Sequence, residues 1–185
     1  MGADISRKEE IKKAFAERYY HLEISEIKVS DICQDISMSR TAFYYYYNDI
    51  YDVLEDIEGG ILKELIRLNR NFYLVDMRKD DEAVYQEVLP TLRCIKDNSL
   101  YLKALLRHKD TDNFHVRLAD IIKSDWKKKM DASSTEVDNT DIVLNLTAAA
   151  IVGLYEYWLY HLEEFSERDI FEGINRILCG IFRYP

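Results

Sequence analysis

Side chains able to do chemistry are scattered through this 185-residue sequence and rarely stand in company. Four histidines, His21, His108, His115 and His161, show no metal-ligand spacing, and no HExxH, CxxC or glycine-rich phosphate loop occurs. Cys33, Cys94 and Cys179 lie far apart and are odd in number, which suits reduced thiols used as small core residues. The carboxylates are many but spread along polar stretches. No nucleophile has a base at hand and no metal has its ligands, so catalytic residues, a metal and a cofactor are not expected. The sequence reads as a protein that binds, not an enzyme. One cluster stands out: Tyr44, Tyr45, Tyr46 and Tyr47 in succession, shortly after Arg40 and Thr41. Successive helical residues turn about 100°, so four in a row point all the way round. A buried phenol also needs a partner for its hydroxyl. The run predicts a short helix with one face in a core and another meeting something outside the domain.

The elements that would position this cluster are helices. Six glycines, two prolines and no convincing alternation of apolar and polar residues predict an all-α protein. Ser6 and Glu9 read as a capping box opening a helix that carries Ile11, Ala14, Phe15, Tyr19 and Leu22. A short helix over Val29–Asp35, a break at ISMS and the tyrosine helix from Arg40 to Tyr47 follow. Asn48 or Asp49 then caps a longer helix bearing Ile50, Val53, Leu54, Ile57, Ile61 and Leu65, with room for a kink at Gly59 and Gly60. Further helices are expected around DDEAVYQEVLPTLRCIKD (bent at Pro90), SLYLKALLRHK and DNFHVRLADIIKSDWKKKM. After the polar loop DASSTEVDNT, a helix from Asp141 to Glu164 and a last one from the Ser166–Asp169 cap to Arg183 complete the chain. The start, MGADISRKEE, lacks the pattern of a secretory signal. The apolar window Leu146–Tyr160 is short for a span and contains Glu156, so no membrane and a cytoplasmic location are expected.

Two short helices separated by a tight break, packed on a longer preceding helix, are the layout of a helix-turn-helix, whose second helix enters the DNA major groove. There Phe43 and Tyr47, four apart, face the core, and the Tyr44 hydroxyl points towards the DNA backbone. Tyr45 and Tyr46 lie outside, where sugar, phosphate or thymine methyls would be. The segment Lys28–Leu54, KVSDICQDISMSRTAFYYYYNDIYDVL, resembles the N-terminal pattern of the TetR family of transcriptional regulators, T-V-x-x-I-A-x-x-A-G-V-S-x-G-T-L/F-Y-x-Y/H-F-x-x-K-x-x-L. Val29, Ile32, Met38, Phe43, Tyr47 and Leu54 match its buried positions, and Ser39 and Tyr44 match DNA-facing ones. The resemblance implies a helix-turn-helix domain over residues 1–55 and an effector-binding and dimerisation domain over 56–185. It implies a homodimeric regulator, most simply a repressor, whose affinity for double-stranded operator DNA a small effector shifts. The candidate DNA contacts are Lys28, Ser30, Ser39, Arg40, Thr41, Tyr44, Tyr45 and Tyr46. Ser37 stands where the family turn has Gly, Lys28 where it has a Thr cap, Ala42 for a second Thr and Ile50 for a Lys.

The helix from Asp141 is apolar nearly all round, which a helix buried on one side alone would not be. With the last helix it resembles the family's four-helix dimer seam. Ile142, Leu146, Ala149, Gly153, Ile174, Ile177 and Ile181 are the candidate interface, against the alternative of an interior helix in a monomer. Aromatic content beyond that seam, with the resemblance, marks Tyr101, Leu105, Trp126 and Tyr155 as a candidate effector pocket. Residues 1–56 hold seven Lys and Arg against twelve Asp and Glu, a net of −5 within the chain's −9. That acidity opposes phosphate, and it supports a second reading: a helical adaptor of the same fold that recognises a protein and binds DNA weakly or not at all.

Overall fold

Apolar residues spaced three and four apart do form helices throughout. The computed structural model of the protein describes residues 2–70, 81–108, 114–133 and 139–181, and all regular structure among these residues is helical. In chain order the helices are α1 (Gly2–Tyr19), α2 (Val29–Asp35), α3 (Arg40–Tyr46), α4 (Ile50–Leu68), α5 (Asp81–Asp97), α6 (Ser99–Arg107), α7 (Phe114–Ser133), α8 (Thr140–Tyr160) and α9 (Glu167–Ile181). A single 3-10 turn, Ile24–Glu26, lies between α1 and α2.

Contacts divide the chain into two units: Met1–Leu62 with Asn98–Asp112, and Lys63–Asp97 with Asn113–Pro185. The division falls inside α4, and α6 joins the N-terminal unit. In that unit α1 packs on α2 and α6, and α2 on α3. Ile11, Phe15, Tyr19, Ile32, Phe43 and Val53 are its fully buried centre. Arg18 on α1 grips Asp35 on α2 with two hydrogen bonds of 2.5 and 2.8 Å, which hold the Asp35 carboxyl below its usual range. His108, beyond the end of α6, stacks on Tyr19 with ring centroids 4.1 Å apart. Its Nε2–H donates to the Tyr19 carbonyl oxygen at 2.5 Å, a bond that fixes the tautomer because a carbonyl only accepts.

In the second unit α8 packs on α7 and α9, and α5 on α9. Leu92, Phe114, Val152, Trp158, Leu159 and Phe171 lie in its core. Ion pairs of 2.7 Å (Arg168 to Glu82) and 3.1 Å (Lys96 to Glu167) join α5 to α9.

The bounds of two helices differ from expectation. Helix α1 begins at Gly2, so Ser6 is an exposed residue within it and not its cap; nothing in Ala3–Ile5 stops a helix from growing one turn further back. Helix α4 runs unbroken through Gly59 and Gly60, as α5 does through Pro90. Helix α8 ends at Tyr160, because the Trp158 indole donates to the Phe165 carbonyl at 2.8 Å and holds the chain in a turn there. The Ser166–Asp169 cap forms reciprocally: the Ser166 N–H donates to the Asp169 carboxylate (2.8 Å) and the Asp169 N–H to the Ser166 hydroxyl (3.3 Å). Cys33 and Cys94 carry thiols. The Cys179 and Ile181 side chains and Arg183 lie outside what is described.

Candidate functional site

The break between α2 and α3 sets the angle of the tyrosine helix. The Met38 N–H donates to the Cys33 carbonyl (2.8 Å) and the Ser37 N–H to the Gln34 carbonyl (3.3 Å), the two bonds of a Schellman cap on α2. Such a cap needs a left-handed residue between them, and Ser37 takes that conformation with φ at +51°. The absence of glycine there is thus met by a strained serine and not by a different turn. Ser39 then opens α3, its hydroxyl accepting from the Ala42 N–H at 3.1 Å.

On α3, Phe43 is fully buried and Tyr47, just past the helix end, is nearly so. The Tyr47 hydroxyl donates to Asp56 on α4 at 2.7 Å, which answers the need of a buried phenol for a partner. Lys8 on α1 lies 4.9 Å from the centre of the Tyr47 ring and 3.9 Å from the Asp56 carboxylate. The outer face carries Arg40 and Thr41, both exposed, with Tyr44 and Tyr45 at 50% and 76% exposure; Tyr46 is half-buried and edge-on to Tyr45. One turn separates Arg40 from Tyr44, and the guanidinium donates a hydrogen bond to the phenol oxygen that raises its own pKa further. Lys28 and Ser30 are exposed at the start of α2, where the Ser30 hydroxyl donates to Asp31 at 3.2 Å. Arg7 and Lys12 are held by Glu10 and Glu9 on their own helix, whereas among the described residues Lys28 and Arg40 form no ion pair. Arg40, Thr41, Tyr44 and Tyr45 therefore share one exposed helix, while Ser39 is committed to its cap.

The pocket residues separate. Trp126 and Tyr155 line a cavity of about 60 Å³ in the second unit, walled by apolar side chains such as Leu65, Ile121, Ile151 and Phe171. Tyr101 and Leu105 do not. They belong to the first unit, where the apolar face of α6 packs on α1 and the Tyr101 hydroxyl donates to Glu9 at 3.3 Å. The cavity also has polar groups that are not among the expected pocket residues: Asn69, Thr91 and Asp125. Asp125 had a signal, since Ile121, Ile122 and Trp126 place it on an inward helical stripe where an acid is out of pattern.

The interface residues also divide. Ile142, Leu146, Ala149 and Gly153 are exposed along one face of α8, continued by Tyr157 and Tyr160. The opposite face, with Leu144, Ala148, Ile151, Val152 and Tyr155, is buried. Ile177 is half-buried, but Ile174 is a core residue and lines the cavity, so it leaves the candidate seam.

The family model for the TetR-type transcriptional regulator C-terminal region matches residues 82–180, over half of the chain. The chain belongs to the TetR family of transcriptional regulators. This TetR-family protein is 26% identical over 159 residues to the HTH-type dhaKLM operon transcriptional activator DhaS of Lactococcus lactis subsp. lactis (strain IL1403), a match covering 83% of this chain and 80% of DhaS. In fold it is similar to a crystal structure of a Syntrophomonas wolfei protein named as a TetR-family transcriptional regulator (TM-score 0.67, 16% identity, 98% of this chain and 97% of that one). It is also similar to the SmeT–triclosan complex (TM-score 0.63, 15% identity, 95% and 91%); SmeT is the repressor of the Stenotrophomonas maltophilia efflux pump SmeDEF. At those two identities the likeness is one of fold. The stretch read as too short to span a bilayer is part of the 21-residue α8, which is long and apolar enough to do so by length and composition. Membership of a family of DNA-binding regulators, with one face of α8 buried on α7 and α9, makes it a packed helix.

Proposed function

We propose that this TetR-family regulator is a cytoplasmic homodimer that reads a near-palindromic operator with α3 and represses by occupying it, and that a small molecule in the second-unit cavity shifts its affinity. The observation carrying the DNA reading is the division of labour on α3: Phe43 and Tyr47 anchor it from within, leaving Arg40, Thr41, Tyr44 and Tyr45 on one uncovered face. Arg40 there suits a bidentate contact to guanine, and the Tyr44 hydroxyl suits a phosphate. Lys28 and Ser30 add backbone contacts from α2. The apolar stripe Ile142, Leu146, Ala149, Gly153, extended by Tyr157 and towards Ile177, is the proposed dimer seam, with Ile181 continuing it in sequence. A twofold dimer presents two copies of α3 and calls for a symmetric site.

A second reading keeps its support from the charge of residues 1–56 and from the local pairing of Arg7 and Lys12, which leaves few cations for phosphate. In that reading the same face of α3 meets a protein. The sign of regulation is also open to test, since DhaS is named an activator and SmeT a repressor. Selection of bound duplexes from a random pool separates the readings: enrichment of a symmetric site supports the regulator, and failure to enrich any sequence at low salt leaves the adaptor. A reporter with the enriched site across its promoter then gives the sign.

A further inference from the structure

The cavity of the second unit is chemically lopsided. About 60 Å³ is room for some four or five water-sized spheres, hence a ligand of roughly three to five heavy atoms. Its walls are mainly apolar, and its polar groups are not equivalent. Thr91 donates to Asn69 at 3.3 Å, so those two already serve each other. Tyr155 is buried to the ring, and its hydroxyl forms no hydrogen bond among the described residues. Asp125 is the one charged residue of the lining. Its side chain is 17% exposed, and the cation beside it, Lys128 at 3.8 Å, is itself mostly in water at 59%. Burial outweighs that cation and pushes the Asp125 carboxyl up to about 6.

Asp125 sits on the inward stripe of α7 with Ile121, Ile122 and Trp126, where an apolar or amide side chain would fold with less cost. A carboxylate kept there without a full partner is the complement of a cation small enough to enter. The apolar walls ask for a hydrocarbon body, and a bound anion would face the carboxylate across a medium that screens poorly.

Resting on the effector reading of the same cavity, we infer that its ligand is a short primary aliphatic amine, bound as the ammonium ion with its head at Asp125 and Tyr155 and its alkyl chain among the isoleucines. The ammonium donates to the carboxylate and to the phenol oxygen. A neutral alcohol of equal length keeps the apolar contacts and loses the ion pair.

The test is a fluorescence titration of the full chain, since Trp126 lines the cavity and Trp158 is buried elsewhere in the same unit. The probes are n-propylamine, n-propanol and propionate at neutral pH. The inference expects the amine to bind at least tenfold more tightly than the alcohol, and propionate not to bind. Asp125→Asn should bring the amine to the affinity of the alcohol and leave the alcohol unchanged. Equal or tighter binding of propanol, binding of propionate, or no binding of the amine overturns it, and the ligand series on the unaltered chain decides even where the variant folds poorly. Operator affinity is measured with the same ligands. An amine that binds through Asp125 without changing DNA affinity sinks the effector reading and keeps the ligand; a ligand that changes DNA affinity but ignores Asp125 does the reverse.

Discussion

Replacing Ser37 with glycine should stabilise the helix-turn-helix. Ser37 holds φ at +51° at the heart of the Schellman cap, where the Cβ of an L-residue costs roughly 1–2 kcal/mol. Glycine removes that cost but brings extra freedom to the unfolded chain, worth about 0.5–1 kcal/mol in the other direction. The net expectation is a gain of about 0.5–1 kcal/mol. Tryptophan emission is the wrong probe, because Trp126 and Trp158 both belong to the second unit. Amide hydrogen exchange reports locally: the Met38 N–H, bonded to Cys33, and the Phe43 N–H, bonded to Ser39, exchange only when this segment opens. A gain of that size slows their exchange about two- to fivefold. Ser37→Ala keeps the Cβ and should bring no such protection. Equal slowing by alanine and glycine, or faster exchange in the glycine variant, would refute the strain argument.

Other perturbations follow from the same geometry. Tyr47→Phe removes the 2.7 Å bond to Asp56, and for a partly buried bond to a charged acceptor it should cost about 1.5 kcal/mol in urea unfolding followed by far-UV circular dichroism. Asp125 has a folded carboxyl pKa of about 6 against an ordinary 3.8, so the folded state holds its proton more tightly and stability falls as pH rises from about 4 to about 6. Asp125→Asn should therefore gain up to about 3 kcal/mol at pH 8 and almost nothing at pH 4, read from thermal melts at both. Leu146 is 59% exposed on the single chain, so if it lies in the proposed dimer seam Leu146→Arg should leave the fold intact and yield a monomer by light scattering. A monomeric parent chain at micromolar concentration would remove the dimer.

What the sequence made legible was local. The spans of α2 and α3 follow from short apolar patterns and a serine cap, and the sorting of the tyrosines follows from the four-residue spacing of Phe43 and Tyr47. Long-range packing was less visible. Nothing within SLYLKALLRHK says that its leucines belong with α1, so Tyr101 and Leu105 were grouped with aromatics of the other unit. Ile174 and Ile177 look alike in sequence, yet Ile170, Phe171 and Ile174 form the inward stripe of α9 and leave Ile177 half-covered. Asp125 is out of pattern on the inward stripe of α7, but the cavity it lines exists only once several helices surround it.

The central claim, that the outer face of α3 reads DNA, is tested most directly by titrating labelled duplexes with the parent chain, Tyr44→Phe and Arg40→Ala. Cognate and base-substituted duplexes are compared at two salt concentrations. Tyr44→Phe should weaken every sequence alike by roughly 0.5–1.5 kcal/mol, the value of one neutral hydrogen bond to phosphate. Arg40→Ala should cost about 1–3 kcal/mol on the cognate duplex and lose preference at one base position in each half-site. With Lys28 and Arg40 as the cations without an ion pair on α3 and at the start of α2, a dimer that neutralises four phosphates with them should show a salt slope of about −4. A parent chain without salt-dependent affinity for any selected duplex at low ionic strength, or an Arg40→Ala variant that keeps every base preference, would contradict the account.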